Sequence, residues 1–388
     1  MEYTYFLLDD CICNFLNLFV IRSSVEFCLT SFQLSKLFFA RKKFTFKSAN
    51  KISAQKLDAL HFYTPFKYVE TLFLNNRFKY DFSKFRNLKK LVVKRHSGEV
   101  ENVSNLTNLT ALQIGYATYD IGNLTNLIKL CAIGYNYQKI LYNNINVTSL
   151  KLNRVFEADL TVLTKLCKLK IFNPDNRCNF IVNSNYLTYI EISYDKVDSF
   201  KPLVFYKTSL NSLTSLNCIK ISHGFPTNII FDMYHLKTII FCNISDELNI
   251  QKLTHLKYLK IKECINFNLI CDDLTNLEYL KIKLTNSSTY NNMMLNKLSK
   301  LTFLHLKLNT YVHNLSNLVN LKSIILKNLR LDTLFNLTKL YSLSLSLENI
   351  KLLNELTLLK NIKQIYLSKN NSGSKVKIPF YDWIEYYF

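Results

Sequence analysis

Glycine and proline are scarce in this chain of 388 residues, with six of the first and five of the second. That scarcity excludes a collagen-like or Gly/Pro-rich low-complexity chain and leaves no glycine-rich loop able to cradle a phosphate. No P-loop, GxSxG or HExxH pattern occurs, so no enzyme is expected and no cofactor is implied. The ten cysteines form no CxxC pair and no metal-like cluster with histidine. They read as free thiols in a reducing compartment, with no metal site. No run of ~18 uncharged apolar residues is available for a membrane span. The amino terminus, MEYTYFLLDDCICNFL, has no basic region before its apolar run, and Asp9 and Asp10 interrupt that run. It makes a poor signal peptide, and a cytoplasmic location is expected.

Acidic residues are also in the minority. Asp and Glu number 28 against 49 Lys and Arg, a net charge of +21. Such a surplus attracts acidic partners, whether protein, nucleic acid or anionic lipid. Part of it has a bland source, because Lys, Asn, Ile, Tyr and Phe share AT-rich codons and all are abundant here. With 48% hydrophobic and 20% charged residues, the composition is that of a folded soluble protein.

What the chain has in abundance is a repeat. LTHLKYLKI (253–261), LTNLEYLKI (274–282), LTNLTALQI (106–114) and LTKLCKLKI (163–171) align on L-x-x-L-x-x-L-x-L. Four more copies of this kind and seven weaker ones bring the total to fifteen units, with key strand positions at 72, 91, 112, 130, 150, 169, 190, 219, 239, 259, 280, 304, 324, 343 and 365. The steps run from 18 to 24 residues, with one of 29. The x-L-x-L core has the period of a strand burying alternate side chains, and the leucines three and six residues earlier fill the core from the turn. No unit buries its apolar edge alone, so stacking in parallel must build one long core.

These motifs resemble the leucine-rich repeat family over roughly residues 65 to 370. The resemblance implies an α/β repeat solenoid, a horseshoe with a parallel concave sheet. The family's asparagine five residues after the key leucine is present only at Asn309 and Asn370, with Asn76, Asn173, Asn243 and Asn328 standing one position earlier. Units of ~20 residues leave little room for a full helix on the outer side, so 3₁₀ turns or short irregular segments are expected there. The LTNL repeats also create N-x-S/T sequons, among them Asn105, Asn108, Asn123, Asn314 and Asn336, read as repeat chemistry and not as glycosylation sites.

Residues one before, one after and three after each key position point away from the core onto the open sheet. Three consecutive units place Tyr258, Lys260 and Lys262, then Tyr279, Lys281 and Lys283, then Phe303, His305 and Lys307 on that face. The result is one aromatic and two cationic columns, extended by Lys94, Lys151, Lys170, Lys220 and Lys327 in other units. Like charges facing each other in a sheet are costly, and a tract that keeps them suits an acidic protein partner. The bland reading is that lysine stands wherever solvent allows and that the aromatics cover its stem. Single-stranded nucleic acid is a third, less favoured ligand, since arginine is scarce in the tract and no RNA-binding motif is present.

Residues 7–37 break the repeat, and Ser23 with Glu26 forms a helix capping box. This stretch looks like an F-box, matching its pattern at Leu7, Asp9, Asp10, Ile12, Phe15, Leu16, Phe19, Ile21, Arg22, Val25, Phe27, Leu29, Ser31 and Leu37. Leu8 stands where that family has proline, Ser23 where it has Asp, and no tryptophan follows. The resemblance implies binding to a Skp-type linker protein of cullin ubiquitin ligases through Leu7, Ile12, Phe15, Leu16, Phe19, Ile21, Val25 and Leu29. A helical cap closing the first repeat is the other reading of the same residues. The expected organisation is an F-box-like segment or cap at 1–50, a linker at 51–65, the solenoid at 66–370 and a terminal cap at 371–388. The expected function is a protein-interaction adaptor, a ubiquitin-ligase substrate receptor or, without that link, a plain scaffold.

Overall fold

The computed structural model describes residues 44–47, 69–74, 80–93, 100–101, 103–115, 121, 123–133, 144–154, 157–174, 179–194, 213–222, 233–243, 248–264, 269–270, 273–284, 295, 297–307, 315–326, 334, 336–346, 361–368 and 375–379. The F-box-like residues 7–37, including all eight expected linker contacts, lie outside this set, as do Lys94 and Lys327. The chain divides into two compact units, Met1–Tyr186 and Leu187–Phe388.

In the first unit the strands Phe44–Lys47, Val69–Leu74, Lys90–Val93, Ala111–Ile114, Lys129–Ile133, Ser149–Asn153 and Lys168–Phe172 pair in parallel in that order. Leu72 faces Leu91, which faces Leu112, then Leu130, Leu150 and Leu169. Phe44–Lys47 extends this ladder into residues read as part of a helical segment, because its Phe46 pairs with Leu72.

The second unit repeats the plan. Tyr189–Ser193, Cys218–Ser222, Thr238–Cys242, Tyr258–Cys264, Tyr279–Leu284, Phe303–Lys307, Ser323–Leu326, Ser342–Ser346 and Gln364–Ser368 run parallel, with Ile190, Ile219, Ile239, Leu259, Leu280, Leu304, Ile324, Leu343 and Ile365 in one register. The long step between Ile190 and Ile219 leaves that pairing intact. Lys375–Pro379 then pairs antiparallel with Gln364–Ser368, ending the parallel series.

One unit shows why leucine recurs. Leu253, Leu256, Leu259 and Ile261 are each fully buried, filling the turn and the inner face of one strand. Burying such a side chain stabilises by roughly 1.5–3 kcal/mol, and a 20-residue coil gains it only against its neighbours. The turn is closed by the Leu256 amide donating to the Leu253 carbonyl at 2.9 Å. The Lys237 carbonyl of the preceding coil accepts from both Lys257 and Tyr258. Asn144 and Ser184 take the leucine position six before the key residue; the Ser184 hydroxyl donates to the carbonyls of Thr164 and Leu166, both at 2.9 Å.

Among the described residues an asparagine ladder sits before the strand. Four residues ahead of the key position, Asn108, Asn126 and Asn146 in the first unit donate their amides to Arg86, Thr107 and Thr125 carbonyls at 2.8–2.9 Å. In the second unit Asn276, Asn320 and Asn361 do the same to Thr254, Ser299 and Thr338. Lys165, Lys300 and Lys339 occupy the same site in following coils and donate to the oxygens of Asn146, Asn276 and Asn320. The LTNL asparagine is therefore structural: each amide binds one coil to the previous one.

Four residues after the key position the chain turns left-handed at Arg154, Asn173, Asn243 and Glu263, with φ of 59°, 46°, 52° and 55°. Glycine is absent from all four sites, and asparagine tolerates this region better than arginine or glutamate. Arg154 and Asn243 amides nevertheless donate to Phe172 and Lys262 at 2.9 and 2.8 Å, so the ladder continues through the bend.

Between sheet strands the return path includes 3₁₀ turns at Phe82–Lys84 and Val103–Asn105. It also contains short parallel ladders not foreseen from the sequence: Tyr80–Asp81 with Val100–Glu101, Glu157–Asp159 with Asn179–Ile181, and Leu248–Asn249 with Leu269–Ile270. An extended chain covers ~3.3 Å per residue against 1.5 Å for a helix, so it closes a short coil with fewer residues.

Candidate partner-binding face

Parallel, in-register pairing brings the outward positions of successive strands side by side. Tyr258 faces Tyr279 and Tyr279 faces Phe303; Lys260 faces Lys281 and Lys281 faces His305; Lys262 faces Lys283 and Lys283 faces Lys307. All nine residues expected at the site thus lie in three aligned rows on one sheet face.

The aromatic row is a closed stack. Tyr258 and Tyr279 have ring centroids 4.2 Å apart at 8°, and Tyr279 and Phe303 4.4 Å apart at 3°. The inner ring faces are used up against one another, leaving edges and hydroxyls to a ligand. Burial, then the hydrogen bond and charge of Tyr258, push the Tyr279 phenol up to about 12. A nucleobase entering between these rings would have to part the stack, and only the outer faces of Tyr258 and Phe303, beside Thr238 and Ser323, lie outside it.

The cationic rows carry a cost. Each like-charged pair directly opposite destabilises a sheet by roughly 0.2–1 kcal/mol. Glu263, at the left-handed bend, relieves part of it by approaching Lys283 at 3.6 Å. Outside the outward rows, acids pair with lysines at the start of the strands: Lys257 with Glu278 at 2.8 Å and Lys89 with Glu70 at 2.9 Å.

The distribution of acids separates the face from its surroundings. In the second unit lysine occupies six described outward positions, at 220, 260, 262, 281, 283 and 307, and an acid only one, Glu191. In the first unit lysine stands at 90, 129, 151, 168 and 170, with no acid among the described outward residues. There Lys90 lies over the Phe73 ring at 5.1 Å and Lys151 over Phe172 at 4.4 Å, cation–π contacts that hold their stems against the sheet. AT-rich codons raise lysine everywhere, but they do not remove acids from one face.

Glu191 was not foreseen. It is 4% exposed and meets Lys220 of the next strand at 2.5 Å, while the Tyr189 hydroxyl donates to its other oxygen at 3.1 Å. Burial, then the charge of Glu191 and this hydrogen bond, raise the Tyr189 phenol well above its ordinary range. The signal was present as Glu and Lys one residue after two key positions, but the 29-residue step between them hid that they are neighbours.

Among the described residues no group of three His, Cys, Asp or Glu is placed to hold a metal ion. Cys131, Cys167, Cys218 and Cys242 are half-buried; burial raises the Cys131 thiol, and Lys151 opposes that shift. No helix among the described residues is long and apolar enough to cross a membrane.

No protein-family model matches this sequence, and no curated protein matches it. Among solved structures, the chain is similar to an internalin, InlF, from Listeria monocytogenes, at 17% identity over 88% of this chain and 94% of that one, with a TM-score of 0.46. A leucine-rich-repeat protein of Leptospira interrogans is similar at 19% identity over 77% and 84%, with a TM-score of 0.43. A TDR receptor is similar at 15% over 76% and 58%, with a TM-score of 0.47. The repeat architecture itself stands on the chain's own strand register.

Proposed function

We propose that this chain is a protein-interaction scaffold of the leucine-rich-repeat type, and that the sheet face formed by Tyr258–Cys264, Tyr279–Leu284 and Phe303–Lys307 holds an acidic protein partner. The observation that carries this reading is the near-exclusion of acids from the outward rows, where the single described acid, Glu191, is already engaged by Lys220 and Tyr189. A solubilising role for lysine has no need of that segregation, and aligned lysines lower the stability of the sheet. The test is capture of an immobilised poly-glutamate peptide by the full chain and by a Lys260→Glu, Lys281→Glu, Lys283→Glu variant. The parent chain binds with a steep salt dependence and the variant does not. Equal capture by both places the site elsewhere.

The narrower reading, a substrate receptor of a cytoplasmic cullin-type ubiquitin ligase, rests on the F-box resemblance of residues 7–37. Co-purification of the full chain with a Skp-type linker, lost on Phe15→Glu with Ile21→Glu, is its expected outcome. Failure of the full chain to bind leaves the scaffold without that pathway.

A further inference from the structure

The rows have a spacing as well as a charge. Along each strand the outward side chains recur every second residue, ~6.7 Å apart, and across the sheet they recur every ~4.8 Å. Tyr258, Lys260 and Lys262 are thus three evenly spaced points on one strand, and Tyr279, Lys281 and Lys283 are the same three points beside them. Each point on the line between these strands is flanked by a matched pair: two tyrosines, then two lysines, then two lysines.

Resting on the acidic-partner reading above, we propose that the ligand of this face is an extended peptide lying along the strands, with an apolar side chain followed at two-residue intervals by two carboxylates. An extended chain presents alternate side chains on one side at the same ~6.7 Å. Its apolar residue meets the stacked edges of Tyr258 and Tyr279, its first carboxylate lies between Lys260 and Lys281, and its second between Lys262 and Lys283. Either chain direction satisfies the spacing. A helix fits less well: residues four apart advance ~6.0 Å but rotate about 40° each time, so the third contact has turned away from the sheet. Consecutive acids fit worse, since neighbours in an extended chain point to opposite sides. Glu263, at 3.6 Å from Lys283, occupies part of the position of the second carboxylate and acts as a competitor built into the chain.

The experiment uses the full chain and fluorescent peptides of identical composition with one leucine and two glutamates in a serine–glycine background. The three spacings are alternating (Leu-x-Glu-x-Glu, in both orders), clustered (Leu-x-x-Glu-Glu) and helical (Leu-x-x-x-Glu-x-x-x-Glu). Anisotropy titration at low salt is expected to rank the alternating peptide first by on the order of tenfold, the loss of one well-placed carboxylate. Glu263→Gln is expected to tighten that peptide about twofold, and Lys281→Ala to abolish its advantage over the clustered one. Equal affinity for all spacings, or preference for the helical one, overturns the register-matched mode while leaving an acidic partner in place. Binding no better than that of a peptide with glutamines for glutamates overturns the acidic-partner reading itself. An oligonucleotide of equal charge that displaces the alternating peptide at lower concentration also overturns the proposal.

Discussion

Reversing one charge on the candidate face should make the fold stronger while making the face useless. Lys260 stands directly opposite Lys281 and diagonal to Lys283, and its other neighbour across the sheet is the uncharged Ile240. Lys260→Glu removes one repulsive cross-strand pair and creates an attractive one. With each worth roughly 0.2–1 kcal/mol, the gain is about 1 kcal/mol. For a unit of this size that corresponds to a rise in melting temperature of about 2–4 °C. Lys260→Met keeps the apolar stem and removes only the charge, so it should give about half the gain. Calorimetry of the three proteins at low salt and at about 1 M salt measures both contributions, since a Debye length near 3 Å at the higher salt suppresses the charge term. The reasoning is refuted if Lys260→Glu lowers the melting temperature by the same amount at both salts. The lysine would then be held by packing of its stem over the tyrosine row, and its charge would be incidental.

Three further predictions concern the coil and its titration. Asn276→Ala breaks the amide link to the Thr254 carbonyl and strands the Lys300 ammonium that binds its oxygen, and should cost about 1 kcal/mol in urea unfolding. Asn243→Val places a β-branched residue at a left-handed site and should cost about 1–2 kcal/mol, whereas Asn243→Gly should lie within about 0.5 kcal/mol of the parent. The Tyr279 phenol, raised from 10.0 to about 12 in the folded chain, keeps its proton longer folded than unfolded. Its contribution to stability is complete below pH 10 and lost as pH climbs to 12; Tyr279→Phe should flatten that decline and delete one late step from the ultraviolet phenolate titration.

The strands were readable because burial imposes a strict rule at one position per coil. A leucine or isoleucine at each of the fifteen key positions meets its neighbours within each unit, and the outward rows follow from the two-residue period alone. The coil-to-coil links were less readable. The LTNL asparagine was visible as a repeated letter, but its bond runs to a carbonyl about 20 residues earlier, a partner that only the register identifies. The short return-path ladders are not legible in the sequence because two- and three-residue strands such as Leu248–Asn249 carry no periodicity. The Glu191 ion pair is hidden for a related reason: its partner, Lys220, lies across the longest step in the repeat.

The most direct test of the acidic-partner face is lysine footprinting of the full chain, by brief acetylation and mass spectrometry, with and without a saturating alternating Leu-x-Glu-x-Glu peptide. Protection concentrated at Lys260, Lys262, Lys281 and Lys283, with Lys165, Lys300 and Lys339 at the turns labelled as before, is the predicted result. Protection of those turn lysines with the four face lysines unchanged would contradict it.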